Sequence, residues 1–114
     1  MPIVRFTPSE YEEHLKNAPE TPLWQSLRWK LYQEALGRET RLYGLKSASG
    51  ETWARALVVV DRTAFGLSIW DIPRGPLGSS PEAILELLNG IVEEAKKEKC
   101  MAVYFSSGFQ VSDF

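Results

Sequence analysis

Cysteine and histidine are nearly absent: Cys100 and His14 are the only ones in 114 residues. One thiol can form neither an intrachain disulfide nor a thiolate metal cluster. One imidazole excludes a His-pair metal site and gives a Ser-His-Asp triad poor footing, so no metal is expected. An excess of charge is missing too. The net charge of −2 and isoelectric point near 5.4 argue against a general electrostatic affinity for nucleic acid, while leaving room for a local basic patch. The longest apolar run, Ala56 to Val60, is far too short for a bilayer. Met1-Pro2-Ile3-Val4-Arg5 lacks the order of a signal peptide, so the cytoplasm is the expected compartment. Internal repeats and low-complexity segments are also missing.

The remaining composition, 44% hydrophobic and 25% charged, is that of an ordinary globular domain. The length suits a single domain over 1–114 with one core, without space for a second catalytic lobe. Thr7-Pro8-Ser9-Glu10 is a capping box, with Phe6 and Tyr11 placed as a hydrophobic staple. A short helix to about Lys16 follows, ended by Asn17 to Pro22. A second helix is expected from the stripe Trp24, Leu27, Leu31 and Ala35, flanked by Trp29, Tyr32 and Leu36, with Gly37 as its stop. Strands are expected over Thr40 to Lys46, Thr52 to Val60 and Ala64 to Asp71, turning at Ser47 to Gly50 and at Asp61 to Thr63. Ser80 and Pro81 open a third helix carrying Ile84, Leu88, Ile91 and Ala95. Gly90 inside it signals either close packing or a tolerated accident, and Lys96, Lys97 and Lys99 suit a solvated C-terminal turn. Met101 to Ser106 is a last apolar strand. The order is ααβββαβ: an antiparallel meander followed by a βαβ crossover, which must be right-handed with parallel strands. This is an α+β (α/β) arrangement of the kind found in half of an N-acetyltransferase-like (GNAT) domain.

Between the third strand and third helix lies Trp70-Asp71-Ile72-Pro73-Arg74-Gly75-Pro76-Leu77-Gly78. Two prolines stiffen this loop and leave the Arg74 guanidinium available to a ligand. The carboxyl ends of strands are where open α/β sheets bind ligands. A plain connection with Arg74 in solvent is the competing reading.

Two segments are similar to a known family. Leu23-Trp24-Gln25-Ser26-Leu27-Arg28-Trp29 resembles the Gln-Ser-x-x-Trp signature of Fem-type (FemAB) peptidoglycan bridge-forming aminoacyltransferases. Ile72-Pro73-Arg74-Gly75-Pro76-Leu77 resembles that family's Pro-Arg-Gly-Pro loop, with Ala35-Leu36-Gly37 and the strand ending at Val60 in the expected order between them. The resemblance runs over residues 22–106, a Fem-like core between an N-terminal helix and loop (1–21) and a tail (107–114). It implies transfer of an amino acid from aminoacyl-tRNA to a muropeptide precursor, UDP-linked or lipid-linked, without metal or organic cofactor. Such chemistry rests on positioning and oxyanion stabilisation. Family members carry a tandem pair of GNAT-like domains. This chain corresponds to the first, so catalysis is expected to need a second lobe, a partner or a homodimer. Ser79 stands where members often have an acidic residue. A coenzyme A loop is not expected, because Arg74-Gly75-Pro76-Leu77-Gly78 places a proline where a phosphate-gripping N–H is required.

The resemblance and the loop together nominate substrate-binding residues. Arg74 would hold a phosphate or carboxylate bidentately, or else brace the loop. Asp71 would orient Arg74 or accept a substrate amine proton, or simply end the strand. Gly75 belongs to the same loop. Trp70 offers either core packing or a wall for a sugar or peptide. Gln25, with Ser26, would cap the helix or touch ligand. Lys30 is the nearest candidate for the family's substrate-phosphate lysine. Core packing is expected for Trp24 and Trp29, exposure for His14, and an inert buried thiol for Cys100. Two further readings follow: a non-catalytic GNAT-like interaction module self-associating through the sheet edge at Met101 to Ser106, and a GNAT-like small-molecule acyltransferase, which the missing pyrophosphate loop disfavours.

Overall fold

The computed structural model describes residues 3–15 and 21–106. The expected end of the first helix at Lys16, its terminator from Asn17 to Glu20, and the tail from Ser107 lie outside them. Six strands form one sheet in the order β1-β2-β3-β4-β6, with β5 paired separately to β3. The meander and crossover are as read from the sequence. β2 (Glu39–Lys46), β3 (Thr52–Arg62) and β4 (Ser68–Ile72) pair antiparallel, and β6 (Cys100–Phe105) pairs parallel to β4 after α3 (Pro81–Lys96).

Two strands add to the expected ααβββαβ order. β1 (Ile3–Arg5) pairs with Tyr43 to Leu45, and β5 (Leu77–Gly78) pairs with Ala54 and Arg55. Both are too short to show a two-residue period. Asp61 and Arg62 continue β3 instead of turning. β4 begins only at Ser68, because Ala64–Gly66 form a 3-10 turn with Phe65 at φ 66°.

α1 (Pro8–Leu15) opens on the reciprocal capping box, Thr7 N to Glu10 Oε1 at 2.9 Å and Glu10 N to Thr7 Oγ1 at 3.2 Å. Phe6 and Tyr11 are buried with Leu42 and Leu57 on one face of the sheet. The opposite face carries the larger core, where Val58, Val60, Trp70 and Ile72 meet Leu87 and Ile91 of α3. Gly90 packs closely: a Cβ there would lie 2.5 Å from Ile3 Cγ2, so α3 rests directly on β1. At the far end of this core Arg41 lies 4.8 Å from the Trp70 ring centroid and pairs with both Glu98 and Glu39.

The second helix departs most from expectation. A 3-10 turn, Leu23–Gln25, precedes α2 (Leu27–Ala35), which Ser26 caps by accepting from Trp29 N. The apolar stripe is not the buried face: Leu31, Tyr32 and Leu36 are exposed, while Gln25 and Gln33 are buried. The two buried glutamines, Gln25 in the 3-10 turn and Gln33 in α2, satisfy polar groups: Gln25 bonds Leu57 and Pro73, and Gln33 accepts from Arg38.

Candidate functional site

Gln25 is the organising residue. Its side-chain amide accepts from Leu57 N (2.8 Å) and donates to Leu57 O (3.2 Å) and Pro73 O (2.7 Å). β4 pairs with β3 from Val59 to Arg62, and β5 pairs at Ala54 and Arg55. Leu57 falls in the gap between them, and the Gln25 amide completes its ladder as a surrogate peptide group. The same amide tethers the proline loop. Gly75 lies flat against it, where a Cβ would come within 2.8 Å of Gln25 Cδ. The peptide Gly75–Pro76 is cis, and Ser106 N donates to Gly75 O at 3.2 Å.

This junction shapes a cleft of about 550 Å³ on the sheet face opposite α3. Val59, Asp61, Ile69, Asp71 and Tyr104 form its floor, and Trp24, Trp29 and Gln33 its wall. The register explains the floor: Val59 pairs with Asp71, Asp61 with Ile69, and Asp71 with Tyr104, so these side chains share one face. Trp24 and Trp29 meet edge to face at 6.3 Å. Arg38, which donates to Gln33 Oε1 at 2.8 Å, closes the Asp61 end. At the Pro73 end the Arg74 guanidinium lies 5.2 Å from the Trp24 ring centroid. Arg74 adopts φ 57°, a left-handed conformation that is uncommon for any residue other than glycine. Burial holds the Asp71 carboxyl above its ordinary value, so it keeps a proton to higher pH than an exposed aspartate.

The nominated residues therefore divide. Asp71 lines the cleft, whereas Arg74 stands just outside it, next to Pro73 and against the outward-facing Trp24 ring of its wall. Trp70 does not line it: it is fully buried under α3, its Nε1 donating to Ser68 Oγ at 3.2 Å, and strand alternation turns it away from Asp71. Gln25 and Gly75 are buried behind the cleft, where they position the loop and leave ligand contact to others. Lys30 pairs with Glu34 at 2.9 Å and does not line the cleft. Trp24 is no core residue, being 39% exposed. His14 is half-buried, bonded to Thr52 Oγ1 at 2.7 Å and stacked on Phe6, where burial lowers its pKa. Cys100 is also half-buried, donating to Ala102 O at 3.1 Å. The sequence reading missed Gln33, Arg38, Asp61 and Tyr104. Only strand alternation from Asp71 could have pointed to Asp61 and Tyr104. Among the described residues no group of three or more His, Cys, Asp or Glu gathers as for a metal, and no helix is long and apolar enough to cross a membrane.

No curated protein sequence matches the chain. Among solved structures, FemX superposes with a TM-score of 0.79 and 24% identity, over 98% of this chain but 28% of that one. A ribosomal-protein-alanine N-acetyltransferase from Brucella melitensis biovar Abortus 2308 gives 0.63 at 10% identity, covering 99% of this chain and 85% of the other. An acetyltransferase from Trypanosoma brucei gives 0.57 at 15%, covering 96% and 92%. These likenesses show a shared GNAT-like α+β fold. The FemAB family model matches residues 6–111.

Proposed function

Because the chain belongs to the FemAB family, we propose that its cleft binds a peptidoglycan precursor for tRNA-dependent transfer of an amino acid. One observation carries this reading. The buried Gln25 amide bonds the Pro73 carbonyl, joining the two family-like segments at the mouth of a single aromatic-walled cleft. Arg74, stacked on Trp24, presents its guanidinium edge to a phosphate or carboxylate of the precursor. The two floor carboxylates, Asp61 and Asp71, repel a phosphate and favour an amine-bearing stem, so the anionic end of the ligand belongs at the Arg74 rim.

Transfer forms a C–N bond between the acceptor amine and the aminoacyl carbonyl and breaks the ester to tRNA. The amine proton leaves with the departing ribose oxygen, so the balance closes without metal or cofactor. Asp71 accepts the hydrogen bond of the incoming amine, and positioning supplies most of the acceleration. The chain spans 28% of the length of FemX, which supports a binding half that acts with a second lobe or partner presenting the aminoacyl-tRNA. A UDP-linked precursor would place this work in the cytoplasm.

Calorimetric titration with UDP-linked muramyl-pentapeptide tests the reading. Saturable heat for the native chain, weakened at least tenfold by Arg74→Ala, is expected. Absence of binding at millimolar ligand overturns it.

A further inference from the structure

Arg55 is a cation without a counter-ion. It leaves β3 on the face that carries α1, two residues from Leu57, and is half-buried there. Its Nη2 donates to Thr21 Oγ1 at 2.5 Å, and its Nε is buried with no acceptor. Arg41 and Arg62 on the same sheet are paired with Glu39 and Glu98, but among the described residues no carboxylate pairs with Arg55. Nor does its neighbour Tyr11 neutralise it. Burial pushes that phenol up to about 12, so it stays uncharged and donates to Gln25 O at 2.7 Å. Desolvating a charge without a counter-charge costs free energy that an anionic guest would recover.

The guanidinium lines a hollow of about 270 Å³ together with His14, Thr52, Trp53, Gly78 and Ser79. Gln25 sits on Leu57, between Arg55 and Val59 of the same strand face, and so divides this hollow from the cleft. His14 Nε2 and Thr52 Oγ1 are bonded at 2.7 Å, whereas the Ser79 hydroxyl makes only a long bond of 3.3 Å to Trp53 O. Burial, then Lys46 and Arg55, lower the His14 pKa against the opposing pull of Glu10 and Glu13. Lys46 has Glu10 at 3.8 Å, which leaves Arg55 as the uncompensated charge.

We propose that this hollow is a second binding site, which takes a carboxylate on a short aliphatic carrier and anchors it on Arg55. One guanidinium matches one carboxylate, and its planar fork favours that shape. A phosphate dianion would meet a single free cation, with Glu10, Glu13 and Glu51 close by. The Trp53 ring and the small Gly78 give the carrier an apolar wall and room beside it. The volume falls below the range that holds drug-sized ligands, so an amino-acid-sized acid fits.

The chain has one histidine, so the His14 ring signal in NMR spectra reads this hollow. The probes are small acids, so this site and precursor binding in the cleft can each fail alone. Propionate and N-acetylalanine should move the signal saturably at tens of millimolar and raise the His14 pKa, because an anion favours the imidazolium. Tighter N-acetylalanine assigns the site to a peptide end, and any other order assigns it to a free acid. N-acetylalaninamide, of the same shape without the charge, should leave the signal in place. Arg55→Met should weaken both acids at least tenfold, and Arg55→Lys, which keeps the charge but loses the fork, should fall between. Circular dichroism checks that both variants fold, and the acid-against-amide comparison on the native chain stands without them. A still signal with either acid, an equal response to the amide, or inorganic phosphate binding more tightly than the acids overturns the proposal. Undiminished binding by a folded Arg55→Met chain overturns it too.

Discussion

Gln25 shows how one side chain can hold three backbone groups. Replacing it with Leu leaves the Leu57 N–H, the Leu57 C=O and the Pro73 C=O without a partner in a buried setting. Such losses together cost roughly 2–4 kcal/mol, and urea unfolding should show a lower midpoint of that order. Arg74 gives the opposite case. Arg74→Gly relieves the left-handed backbone but removes the stack on Trp24, two small effects of opposite sign. Stability should stay within about 1 kcal/mol of the native value while precursor binding is lost. A third residue-scale effect is pH-dependent. The hydrogen bonds from Arg41 hold the Glu98 carboxyl below its ordinary value of 4.5. Its folded value lies below its unfolded one, so its contribution is full above about pH 4.5 and fades as acid protonates it. Glu98→Gln should flatten that acid limb of stability against pH. Little of this was legible beforehand. A glutamine between two tryptophans reads as a surface or capping residue, because nothing local reveals that a gap in a distant ladder awaits its amide.

Among the elements, α3 was the most readable, since its buried residues keep helical spacing and Ser80 caps it by accepting from Ala83 N. Its Gly90 became interpretable only with β1 in place. Gly90→Ala gains about 1 kcal/mol of helix propensity but forces a Cβ against Ile3, which costs roughly 1–3 kcal/mol. A net loss in thermal stability is expected, and an Ile3→Ala background should cancel it. α2 misled for a physical reason: Leu31 and Tyr32 within it and Leu36 at its C-cap face solvent, so periodicity marked a stripe that is not the buried one. The capping box of α1 and the meander were legible because their signals are local. β1 and β5 depend on long-range pairing and carry no such signal.

For the whole molecule, the α+β order and the crossover followed from the sequence, and the segments resembling the FemAB family fall within its match over residues 6–111. The cleft was only half legible. Arg74 and Asp71 came from one loop, whereas Gln33, Arg38, Asp61 and Tyr104 reach it through register and packing. The same geometry distributes four natural reporters. Trp24 and Trp29 line the cleft, Trp70 is buried under α3, and Trp53 stands beside His14 and Ser79 at a separate hollow. Indole N–H resonances followed during titration with UDP-linked muramyl-pentapeptide test the central claim most directly. The Trp24 and Trp29 signals should move saturably while those of Trp53 and Trp70 stay in place, and Arg74→Ala should abolish the movement. Still signals at Trp24 and Trp29 under saturating ligand, or shifts confined to Trp53, would contradict the assignment of this cleft.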